Sequence, residues 1–123
     1  MVYYPDGMSS DSMIRVGWLD KSAPFAKGTV DPIFLQKLRI YYRERVNQTR
    51  GFHICPFCVR GEFGLPFEID GKVIKLGSAE VHVPGPEGQV YVAPDLIYHY
   101  VTAHNYQPPL EFVDAVCSTA MQE

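Results

Sequence analysis

This chain has no apolar run approaching roughly twenty residues, which excludes a helical membrane span. Cysteine is scarce. Cys55, Cys58 and Cys117 make an odd count with one close pair, a poor disulfide framework and a good metal or redox pattern. The opening stretch MVYYPDGMSSDSMIRVGW does not combine a basic start with an apolar segment, so the expectation is no signal peptide and a cytoplasmic protein. No internal repeat or low-complexity tract appears, which excludes a solenoid. Basic residues nearly vanish from 61–123, where Lys72 and Lys75 face nine acids. What remains is 123 residues that are 46% hydrophobic, with ten Gly and ten Pro. That describes one domain with a modest core and many turns, a size at which a metal cross-link helps.

Two of the cysteines frame Cys55-Pro56-Phe57-Cys58, and His99 and His104 follow beyond residues 59–98. Together they spell C-x2-C…H-x4-H. Structural zinc takes four tetrahedral ligands from thiolate and imidazole. Two thiolates and two neutral imidazoles cancel the charge of Zn²⁺, so the site can sit beside a core at little desolvation cost. The predicted metal ligands are therefore Cys55, Cys58, His99 and His104. Five residues along a helix is about 140° beyond a full turn, so the two imidazoles need a distorted last turn to converge. His53 is a rival ligand, assigned here to orienting a cysteine or to solvent. Cys117 is expected as a core thiol.

Around these residues the pattern predicts an α+β domain. Residues 1–12 read as a mobile tail and 13–123 as the single domain. Asp31-Pro32 starts a first helix running to about Val46 on the spacing of Phe34, Leu38, Tyr41 and Tyr42. Two hairpins follow: 66–76 around Asp70-Gly71, and 79–92 around the turn Pro84–Gly88. Ala93-Pro94-Asp95 is expected to open a second helix ending at His104, with Asn105 as left-handed terminator. Pro108-Pro109 starts a third.

Other constellations carry weaker chemistry. CPFC resembles the redox motif of glutaredoxin-like proteins, but VRGEFGLP after Cys58 does not form the helix that motif needs. His82 shares a strand face with Glu80 and is read as solvated. As a general base it would serve a ββα-metal nuclease, the third functional reading. Lys37, Arg39, Arg43, Arg45, Arg50 and Arg60 form a basic run that could line a nucleic-acid surface, the second reading. Its preferred assignment is a solvated face paired with the acidic C-terminal half. Tyr98, Tyr100 and Tyr106, with Phe112, gather near the last helices, and any left exposed would make a protein-contact patch.

Over residues 52–105 the order knuckle, hairpin, helix resembles zinc-finger or treble-clef-like modules in outline. The gap between ligand pairs is too long for a C2H2 finger, so base-reading rules do not transfer. The layout WLD…RGFHICPFC…GSAEVHV…YVAPDLIYHYVTAH, over about 17–116, also resembles small bacterial proteins of unknown function. That resemblance implies a stand-alone domain and no particular activity. The expectation is thus a small zinc-stabilised domain of three helices and two hairpins, acting as a non-enzymatic module that docks a protein partner.

Overall fold

A computed structural model of the chain describes residues 6–7, 9–10, 13–21, 23–45, 55–58 and 65–118. Among these residues it is an α+β arrangement of six strands, in two small sheets, and three helices. Strands β1 (Ser9–Ser10), β2 (Met13–Arg15), β5 (Glu80–Pro84) and β6 (Val90–Pro94) form one sheet in the order β1-β2-β6-β5. Strands β3 (Leu65–Ile69) and β4 (Lys72–Leu76) form a separate hairpin.

Helix α1 (Pro32–Tyr41) starts as its sequence dictates. The Asp31 carboxylate accepts the Ile33 N–H at 2.9 Å, and Pro32 fills a position whose N–H has no helical partner. The helix is shorter than the periodicity implied. Residues Tyr42–Glu44 tighten into a 3-10 turn and Arg45 is extended. Phe34 and Leu38 are fully buried and meet helix α3 (Leu110–Cys117), with the Phe34 and Phe112 rings edge to face.

Both hairpins form. Asp70 and Gly71 carry φ of 51° and 78°, so both central residues of the β3–β4 turn occupy the left-handed region. In the second hairpin Val81 and Val83 point into the core while His82 and Glu80 take the other face. Two expectations need correction. Pro94 does not open a helix; it continues β6, paired with Glu80, and the next helix, α2 (Ile97–His104), begins only at Ile97. Two short strands, β1 and β2, were also missed. Met13–Arg15 lies parallel to Val90–Val92, and Val16 N–H and Trp18 Nε1 both donate to Val92 O.

Most of the segment read as a mobile tail lies outside the described residues. Within it, Ser9–Ser10 pair with Met13–Ile14, and the Asp6 carboxylate accepts from Gly17 N–H at 3.0 Å and Tyr106 Oη at 2.7 Å. Among the described residues no helix is long and apolar enough to cross a membrane.

Candidate metal centre

Helix α2 (Ile97–His104) presents its ligand candidates at its third and last residues. Its inner side buries Ile97, Tyr100 and Val101, which fixes the helix against the core. Asn105 ends it at φ 58°, ψ 28°, and the N–H groups of Asn105 and Tyr106 both return to Tyr100 O. These long-range returns loosen the last turn. The imidazoles of His99 and His104 then converge, ring centroids 5.0 Å apart, despite the unfavourable spacing.

Opposite them, Cys55–Cys58 is a tight turn with Cys58 N–H reaching Cys55 O. Backbone N–H groups of Phe57 and Cys58 bond the Cys55 sulfur. The Phe57 ring wedges the turn in place, 5.5 Å from the His104 ring, 6.0 Å from Tyr100 and 5.0 Å from Phe25. Phe25 belongs to a strap that pairs with the chain just after His104: Lys27 bridges Tyr106, Gly28 N–H donates to Asn105 O, and Gln107 N–H to Ala26 O.

The four side chains meet. Cys58 Sγ lies 3.2 Å from His99 Nε2 and 3.5 Å from His104 Nε2, and Cys55 Sγ lies 3.3 Å from His104 Nε2. All four ligand atoms fall within 4.8 Å of one another. With metal–sulfur bonds of about 2.3 Å and metal–nitrogen bonds of about 2.0 Å, a tetrahedron has S···N edges of about 3.5 Å. The observed separations match that shell, so the group can hold one metal ion.

Burial tunes the donors. The Cys55 thiol is pushed up to about 11, chiefly because burial disfavours the thiolate. His99 is lowered by burial and then by His104 beside it, and His104 is lowered by burial. Lowering favours the neutral imidazoles that ligate metal, while the raised Cys55 thiol needs a nearby cation to ionise.

The remaining candidates sit elsewhere. His82 Nε2 lies 3.0 Å from Glu80 Oε1 on β5 and is not in the four-residue group. His53, Arg50 and Arg60 lie outside the described residues. The other basic side chains turn inward to the chain's own acceptors. Lys37 Nζ donates to Cys117 O. Arg39 donates to Glu68 O and lies 4.6 Å over the Phe67 ring. Arg43 grips both oxygens of Asp70 at 2.8 and 3.1 Å, and Arg45 reaches Lys75 O and Asp95. The three arginines clamp the β3–β4 hairpin at its first strand, its turn and its second strand. Of the four aromatics that gather near the last helices, Tyr98 alone is left partly exposed. Tyr100, Tyr106 and Phe112 are fully buried, and among the described residues the exposed large apolar ones are Ile33, Val73 and Leu110.

Sequence reasoning missed Asp95. It is fully buried where β6 gives way to α2, accepting from Gly77 N–H at 2.7 Å and Arg45 Nη1 at 2.8 Å. Its backbone carbonyl also accepts from Tyr42 Oη. An acid just before an apolar helix reads as an exposed cap, which hid this role.

A small α+β domain with a Cys2His2 cluster able to hold a metal ion is the class that fold and site define. The chain belongs to the family described as a domain of unknown function, DUF7919, which matches residues 2–117. No curated protein and no solved structure matches it.

Proposed function

We propose that this domain is a zinc-stabilised, non-enzymatic binding module that docks a protein partner. The observation that carries the reading is the four-donor set, with every ligand atom within 4.8 Å of the others. Two thiolates and two imidazoles in a tetrahedral shell suit zinc over harder cations. A catalytic zinc keeps one position for water or substrate, and here a fourth protein ligand takes it. That speaks against the nuclease reading. Redox catalysis would need a lowered thiol, and burial moves Cys55 the other way. Nucleic-acid binding loses its main support because Lys37, Arg39, Arg43 and Arg45 already hold intramolecular acceptors.

Cobalt substitution tests the closed site. Tetrahedral Co²⁺ with two thiolates should give intense visible bands that added azide leaves unchanged. An azide-dependent spectrum would mean an open position and would overturn the non-enzymatic reading. Docking is read by co-purification from the native host. A partner retained by the metal-loaded chain and released by chelator supports it, and a chain that elutes alone contradicts it.

A further inference from the structure

Tyr100 carries a hydroxyl that the fold leaves unbonded. The side chain is fully buried, and among the described residues its Oη has no hydrogen-bond partner. A buried hydroxyl with nothing to bond destabilises the fold, because it has lost its water and gained no replacement. Phenylalanine would fill the same space without that penalty. The oxygen therefore calls for an acceptor that the metal-free chain does not offer.

Its place in the fold is beside the four donors. Tyr100 follows His99 directly and stands one helical turn before His104, so it shares a side of α2 with His104. Its ring lies 6.0 Å from the Phe57 ring, inside the Cys55–Cys58 turn, and 6.2 Å from the His99 ring. Burial pushes the hydroxyl up, and among the charged groups that push it further Cys55 and Cys58 come first, ahead of Asp95 and Asp20. The Tyr100 carbonyl already serves the site, since it takes the Asn105 and Tyr106 N–H groups that end the helix.

A neutral thiol is a weak acceptor, which leaves a phenol beside two of them unbonded. A thiolate is a charged acceptor and draws a shorter, stronger bond. The chain already aims two donors, the N–H groups of Phe57 and Cys58, at the Cys55 sulfur. We propose that Tyr100 is a positioning residue of the metal centre, its hydroxyl donating to a thiolate of the Cys55–Cys58 turn once a metal ion has ionised it. Donors behind the ligands orient them and tune their hold on the ion. This assignment rests on the zinc-site reading and names what steadies its thiolates.

The test compares full-length chains loaded with Zn²⁺ or Co²⁺. Tyr100→Phe removes the oxygen and keeps the ring contacts. Its zinc affinity, read by competition with a coloured chelator, should fall about tenfold. Its sulfur-to-cobalt charge-transfer band should move to lower energy, because a thiolate that loses a donor holds its electrons less tightly. A hydroxyl with a merely structural role would not move that band. Tyr41→Phe is the matched control. The Tyr41 hydroxyl on α1 is also buried and unpartnered, and among the described residues its ring contacts neither Phe57 nor the two histidines. That variant should match wild type in both readouts. Wild-type affinity and band position in Tyr100→Phe overturn the proposal, and so do equal changes in the two variants. Wild type separates the two readings. A wild-type chain that takes up neither metal removes the zinc site itself, whereas a loaded wild type indistinguishable from Tyr100→Phe removes this inference alone.

Discussion

Replacing Asp95 by Ala should destabilise the protein far more than any surface change. The substitution strands the buried Gly77 N–H and takes the counter-charge from the Arg45 guanidinium, whose side chain is only 14% exposed and keeps only Lys75 O as an acceptor among the described residues. Breaking a buried pair by removing one partner costs about 3–5 kcal/mol. At about 2.1 cal/mol/K of unfolding entropy per residue, a loss of about 3 kcal/mol lowers Tm by roughly 12 °C in a chain this long. Urea denaturation and calorimetry with zinc held in excess would read the change. Asp95→Asn keeps an acceptor and should cost clearly less.

The pH dependence adds an independent check. Burial raises the Asp95 carboxyl above its usual value, against the pull of Gly77 N–H and Arg45. A raised folded value means that its titration contributes stability fully below the unfolded value and loses it as pH rises through the folded value. The advantage of wild type over Asp95→Asn should therefore shrink as pH rises through that window. An Ala variant within about 0.5 kcal/mol of wild type would refute the buried-pair argument, because that is the range of ordinary surface substitutions.

Three further outcomes follow from the same contacts. Cys117→Ala should retain the metal and cost less than about 1 kcal/mol, because Cys117 is only partly buried and Lys37 bonds its backbone carbonyl rather than its thiol; metal analysis after gel filtration checks it. Arg39→Ala should loosen the hairpin by about 1 kcal/mol through loss of the contacts to Phe67 and Glu68, seen as faster amide exchange across β3 and β4. Gly71→Ala places a side chain at φ +78° and should cost about 1–2 kcal/mol by urea denaturation.

The sequence announced the parts whose signals are local. Asp31-Pro32 marked a helix start, Asp70-Gly71 a hairpin turn and Asn105 a helix end, and each forms because its own dihedral preferences require it. The four soft ligands could be read from residue type and spacing, and the structure brings them together. What stayed hidden depends on partners distant in the chain. Met13–Arg15 is too short to alternate and becomes a strand only because β6 lies beside it. Arg39, Arg43 and Arg45 could be read as a face paired with the acidic C-terminal half, but the acceptors that take them there, Glu68, Asp70, Lys75 and Asp95, could not. Residue type left open whether Tyr106 is core or surface, and Asp6, a hundred residues earlier, takes its hydroxyl inside. Pro94 suited a first helical turn equally well, and its pairing with Glu80 decided for the strand.

The claim on which the account depends is that Cys55, Cys58, His99 and His104 hold one structural zinc. Elemental analysis of untagged protein, purified without added metal, tests it most directly. The account predicts about one zinc per chain. It also predicts that Cys55→Ser and His104→Ala lose metal and thermal stability together, since binding and folding are coupled at such sites. A metal-free preparation that melts at the same temperature before and after zinc addition would contradict it.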